Sequence, residues 1–212
     1  MAIISKGILG GFSGKVGNVV GGNWRGIQYI RSLPKKVSRI PSLSQLEQRA
    51  KFGLAVGFLK KVKPVLELGF PKTAKASETP MNEACSYFIQ HSITGRFPTF
   101  GVDFKEVQLS KGSLATLKQA KLIYADGVIK LSWEFTNGGL FGQGNDQVIL
   151  IIYVVENEEV QFLNTSKRQD QLVEYQVPKD LSGLEVVTWA FTYNKQNKQA
   201  SKTQFLGSTK LF

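Results

Sequence analysis

Cysteine occurs once in this 212-residue chain, as Cys85, and histidine once, as His91. A lone thiol excludes an internal disulfide framework, so burial and hydrogen bonding must hold the fold. One histidine, one cysteine and scattered acids offer no metal-ligand spacing, and neither a metal nor a cofactor is expected. Cys85 and His91 lie six apart on one expected helix and project about 120° away from each other, so they do not form a nucleophile and base pair. No catalytic residue is expected, and the chain reads as non-enzymatic. Long apolar runs are missing too. The longest, Val148 to Val155, has strand length and falls far short of the roughly 18 residues needed to cross a bilayer. The opening Met1-Ala2-Ile3-Ile4-Ser5-Lys6 reaches glycines before it builds an apolar region, so no secretory signal peptide is expected.

Acids are nearly absent from residues 1–75. Glu47 and Glu67 stand against 14 Lys and Arg, a net of +12, whereas residues 76–212 carry 13 basic and 14 acidic side chains, a net of −1. The excess charge of the whole chain therefore arises in its first third, which would attract a polyanion or an acidic protein face. The alternative is a charge excess that only keeps the protein in solution.

Apolar residues make up 42% of the chain and aromatics 11%, ample for a buried core. The reading is α+β: a glycine-rich basic N-terminal arm with two or three helices over 1–99, then an antiparallel β-sandwich over 100–212. Eight glycines fall within the first 26 residues, between Phe12, Val16, Val19, Val20, Trp24, Ile27 and Tyr29. That density disfavours helix, yet the apolar content is too high for a flexible linker, so the arm should pack against folded protein. Phe12, Trp24 and Tyr29 are its expected packing residues. Alternation from Gly26 places Ile27, Tyr29 and Arg31 on one face of a strand that Pro34 ends.

A helix is expected from a Ser42 cap to Pro64, mostly buried, with Lys60, Lys61 and Lys63 at its dipole-negative end. A short helical turn follows over 64–70. Thr79-Pro80 starts another helix that runs to about Ile93 and is closed by Gly95. Strands are expected near 102–110, 119–124, 127–135, 147–155, 158–163, 171–177, 185–193 and 201–207, with Asp126-Gly127 and Asn137-Gly138-Gly139 among the turns. Their spacing fits an immunoglobulin or fibronectin III-like pattern, with Trp133 and Trp189 as core anchors.

Gly10-Gly11-Phe12-Ser13-Gly14-Lys15-Val16 imitates a phosphate-binding loop and fails as one. Leu9 stands where the first glycine is required and Val16 where a hydroxyl must hold Mg²⁺. The run Gly17 to Gly22 lacks the preceding strand and following acid of a dinucleotide fingerprint. Glu156, Glu158 and Glu159 cluster at an expected hairpin turn and read as solvated. Lys15, Arg25, Arg31, Lys35, Lys36 and Arg39 are the candidate contacts to a polyanion or partner. With Trp24 and Tyr29 they could line phosphates with cations and bases with rings; alternatively they guard an edge strand whose aromatics are core.

The block from Gly7 to Gly21, then Trp24-Arg25-Gly26, Tyr29 to Pro34 and Ser44-Gln45-Leu46 through Phe52, resembles the opening of an uncharacterised family common in Bacteroidota. Looser likeness extends through Tyr87, Ile93-Thr94-Gly95 and Phe205-Leu206-Gly207. The glycine-rich opening with its following arginine and Gln-x-x-x-Arg helix also resembles proteins encoded by phages and mobile elements of those bacteria. The resemblance implies no catalytic residues, and it points toward a structural or assembly role in the cytoplasm or in a virion or other assembly. The expected partner is a protein or further copies of the chain, reached through the arm and through surfaces of the sandwich. Nucleic acid bound by the basic third is the alternative. A carbohydrate-binding sandwich would need exposed aromatics in a row, and Tyr153, Phe162 and Trp189 cannot be assigned to one face from sequence. The oligomeric state is left open.

Overall fold

The computed structural model describes residues 3–4, 11–24, 26–35, 40–70, 79–135, 139 and 142–211. Contacts divide the chain between Ser42 and Leu43 into two units.

In the first unit the described part of the glycine-rich stretch is antiparallel strand joined by tight turns. β1 (Ile3–Ile4), β2 (Phe12–Val16), β3 (Val19–Trp24) and β4 (Ile27–Ser32) form an antiparallel sheet in chain order. Val16 pairs with Val19, so Gly17 and Asn18 alone make the β2–β3 turn. Gly17 has a φ of +55°, a backbone that glycine adopts without cost and that two-residue hairpin turns require. The β3–β4 turn closes with the Gly26 amide donating to Asn23 Oδ1 at 2.9 Å. Strand β4 stops at Ser32, two residues before Pro34, whose missing N–H could not extend the ladder.

The second unit begins at Leu43 and has three layers. Helices α1 (Leu43–Lys61), α2 (Lys63–Gly69) and α3 (Pro80–His91) form the first. The middle layer is an antiparallel sheet in the order β10 (Glu159–Lys167), β9 (Gln147–Val154), β12 (Glu185–Asn194), with β13 (Gln199–Ala200) and β14 (Gln204–Lys210) both pairing with β12. The third layer is the sheet β11 (Leu172–Gln176), β8 (Val128–Glu134), β7 (Lys118–Ala125). A hairpin of β5 (Ile93–Arg96) and β6 (Thr99–Val102) follows α3. The arrangement is α+β with a sandwich of two antiparallel sheets, as the strand spacing indicated.

Two cores lie on opposite faces of β9 and β12. Ile149, Ile151, Tyr153, Val187, Trp189 and Phe191 pack under the helices. Val148, Leu150, Ile152, Val154, Val186 and Ala190 pack against β7, β8 and β11. Side chains alternate in a strand, so a strand covered on both sides must be apolar at nearly every position. Phe58 of α1 fixes the helical layer, its ring 5.3 Å from Phe88, 5.2 Å from Tyr153 and 6.4 Å from Trp189. Trp133 and Trp189 are buried anchors as expected. Each indole N–H donates to a carbonyl, Trp133 to Arg168 at 2.7 Å and Trp189 to Phe104 at 3.0 Å.

Three local expectations need correction. The expected strand 102–110 ends at Val102, and a single helical turn covers Phe104–Glu106. The Leu109 and Ser110 amides donate to Thr203 Oγ1 at 2.9 and 2.7 Å, so a side chain takes the place of a neighbouring strand. Helix α3 stops at His91, and Gly95, expected to close it, sits in the β5–β6 hairpin with a φ of +85°. A Cβ there would stand 2.5 Å from the Thr99 carbonyl oxygen. Helix α1, expected to be mostly buried, buries Ala55, Phe58 and Leu59 while Leu43, Leu46 and Phe52 stay exposed. Contacts group α1, α2 and α3 in one unit with the strands that follow them. The physical reason is that α1, α2 and α3 have no core of their own and bury their apolar rows on the middle sheet.

Candidate interaction surface

The N-terminal sheet has two chemically different faces, and the pairing register assigns its residues to them. Lys15 stands opposite Val20, and Val20 opposite Arg31, so these three form one row across β2, β3 and β4. The next row on that face pairs Gly22 with Tyr29, and the third pairs Trp24 with Ile27. Rows on one face of a strand repeat every two residues, about 7 Å. Lys15, Arg31, Trp24, Tyr29 and Ile27 are all exposed, with Trp24 and Tyr29 each at 45%. The opposite face carries Val16, Val19, Gly21, Asn23, Gln28, Ile30 and Ser32, and no charged side chain among the described residues of β2 to β4. Ile30 is 66% exposed there and Val16 51%.

Adjacent glycines let an aromatic ring lie on each side of β3. A Cβ on Gly22 would stand 2.8 Å from the Tyr29 ring, so that ring lies across the glycine. A Cβ on Gly21 would stand 2.2 Å from the Phe12 carbonyl oxygen and 2.6 Å from its ring. Phe12 and Tyr29 thus lie against Gly21 and Gly22 of the same sheet. Trp24 and Tyr29 are not core side chains, however, which removes the expectation that both were buried behind a charged edge. The cause is that β2 to β4 form a single layer. Lys35 is exposed just beyond β4. Arg25, Lys36 and Arg39 lie outside the described residues.

The other residues with chemical potential do not converge. Cys85 is buried in the helix-side core, where desolvation pushes its thiol above the ordinary value, while His91 is exposed with its ring 4.4 Å from that of Tyr87. Among the described residues no three His, Cys, Asp or Glu side chains gather closely enough to hold a metal. The acidic turn has structural partners: the Glu156 carboxylate accepts the Glu185 amide at 3.0 Å, and Glu158 pairs with Lys61. Tyr153 and Trp189 are buried in the helix-side core while Phe162 is exposed, so the three do not make a carbohydrate-stacking row.

Sequence reasoning missed a buried polar knot at one end of the sandwich. Arg168 is 4% exposed and Asp146 1%, with Arg168 Nε 3.7 Å from Asp146 Oδ2. The guanidinium donates to Thr116 O at 3.3 Å, to Thr192 Oγ1 at 2.9 Å and to Ala115 O. Asn194 Nδ2 donates to Asp146 Oδ1 at 2.7 Å. Burial lowers the Arg168 pKa and the Asp146 charge opposes that shift. These partners are spread from 115 to 194 in sequence, so no local motif signals them. Beside the knot an open cleft of about 420 Å³ is lined by amides, including Gln143, Asn145 and Gln196, with Lys167 and Lys195. No helix among the described residues is long and apolar enough to cross a membrane.

The chain matches a family of unknown function, DUF6266, over residues 11–207, and it belongs to that family. The match takes in β2 to β4 as well as the layered unit. No curated protein matches the chain.

Proposed function

Because membership of this family assigns no role, we propose from the geometry that the chain is a non-enzymatic interaction protein that assembles with further copies of itself through its N-terminal sheet. The layered unit is the scaffold. The observation that carries the reading is the uncharged face of β2 to β4, on which Val16, Val19 and Ile30 are exposed. A one-layer sheet this apolar gains stability when a second layer covers it. The strongly basic first third would repel its own copy, yet the described cations of these strands, Lys15 and Arg31, stand on the other face. Two uncharged faces can therefore meet without like charges opposed, and a twofold pairing is self-complementary.

Sedimentation of the full chain and of Ile30→Glu tests this. A dimer or larger species that Ile30→Glu converts to monomer, with an unchanged circular dichroism spectrum, is the expected result. A full chain that stays monomeric from micromolar to hundreds of micromolar overturns it.

A further inference from the structure

We propose that the opposite, cationic and aromatic face of the N-terminal sheet binds single-stranded nucleic acid. The inference rests on the reading of this sheet as the contact element and names a second partner for it. Its chemistry follows from three rows of side chains. Lys15 and Arg31 flank Val20 in the first row, where two cations can neutralise successive phosphates. Tyr29 occupies the second row and Trp24 the third. The rows are separated by about 7 Å, and rings on neighbouring strands at that spacing can each take one base of an extended strand.

The manner in which Tyr29 is held favours stacking. Its ring lies across Gly22 and the residue is 45% exposed, so the side chain rests on backbone and still presents surface to solvent. A ring fixed in this way loses little freedom when a base settles on it. Residues 1–75 carry a net charge of +12, which supplies the long-range attraction and counterion release expected for a polyanion partner. An acidic protein would use the cations without needing flat rings beside them. A duplex would hide its bases inside the stack, out of reach of rings that lie on a sheet. Single-stranded DNA and RNA share the phosphates and base faces that this surface reads.

Fluorescence anisotropy of the full chain with labelled oligothymidine and oligouridine of about 20 nucleotides tests the proposal, with a duplex of equal length and polyglutamate as competitors. Binding to either single strand is expected, with quenching of tryptophan emission and at least a tenfold loss between about 50 and 200 mM salt. Lys15→Ala with Arg31→Ala should weaken binding at least tenfold and flatten the salt dependence. Trp24→Ala or Tyr29→Ala should weaken it roughly 5- to 100-fold, the range of one lost base stack, while Tyr29→Phe keeps it. Lys118→Ala with Lys121→Ala, on β7 of the other unit, controls for nonspecific charge and should change binding less than twofold. Circular dichroism identifies any variant that has lost its fold, and for such a variant the Phe substitution and the salt series decide.

No anisotropy change at low salt overturns the proposal, as does binding indifferent to both rings. Polyglutamate that competes as well as single strands points to an acidic protein instead and also overturns it. Sedimentation of the same samples separates the two readings. Loss of oligonucleotide binding with self-association intact removes only the nucleic-acid site, and binding by a monomeric chain removes only the self-assembly.

Discussion

Arg168 and Asp146 set the energetic stakes at the level of single side chains. Both are buried; the two terminal guanidinium nitrogens donate to the backbone of 115–116 and to Thr192, while the buried Nε makes no hydrogen bond and lies 3.7 Å from the carboxylate. Removing one member of a buried ion pair leaves a charge without compensation in a medium that solvates it poorly. Asp146→Ala should therefore cost about 3–5 kcal/mol, read as a lower midpoint of urea unfolding with an unchanged slope. A loss below about 1 kcal/mol would mean that the backbone carbonyls alone suffice for Arg168. None of this was legible in the sequence, because an arginine after a strand looks the same whether it faces water or a neighbouring loop. Trp189 was legible, since a tryptophan in a stretch from Val186 to Tyr193 that only Thr188 and Thr192 interrupt has few alternatives to burial.

At the level of elements, signals confined to neighbouring residues were read correctly. Thr79 Oγ1 accepts the Asn82 amide at 3.0 Å and Pro80 opens α3, as the Thr-Pro pair implied. The pairing of Ile27, Tyr29 and Arg31 on one face likewise followed from alternation alone. The stretch 102–110 shows where such reasoning stops. Val102, Phe104, Val107 and Leu109 imitate strand spacing, but all four pack against the helix-side core from chain that pairs with no strand beyond Val102. Exposure of Trp24 was equally hidden, because a face is core only if another layer covers it.

Helix α1 offers a further test. Gly53 and Gly57 lie within it, and a Cβ at either would meet nothing within 4 Å. Alanine at both should stabilise the fold by about 0.5–1 kcal/mol per site, because glycine loses more conformational freedom on folding. A raised melting temperature is the expected readout, and a lowered one would show that these glycines serve a close approach by another chain.

For the molecule as a whole, alkaline pH is the sensitive side. Burial, with lesser help from Glu158 and Asp180, holds the Tyr153 and Tyr175 hydroxyls above their ordinary value of 10.0, and burial alone raises the Cys85 thiol above 9.0. The folded chain keeps these protons at a pH where the unfolded chain releases them. The unfolded state then binds fewer protons, so stability falls as pH rises. The contribution is complete below the unfolded values and is lost through the interval above 9.0 and then 10.0 as the folded groups ionise. Urea unfolding at about pH 8, 9.5 and 10.5 should show a progressively lower midpoint, and a constant midpoint would contradict the assignment.

Phe12 and Tyr29 press on consecutive residues of β3 from opposite sides. At Gly21 and Gly22 the membrane of protein between the two faces is one bare peptide thick, with no side chains to insulate them. A methyl group at Gly21 would drive Phe12 off one side of the strand and one at Gly22 would drive Tyr29 off the other, so each glycine guards its own side.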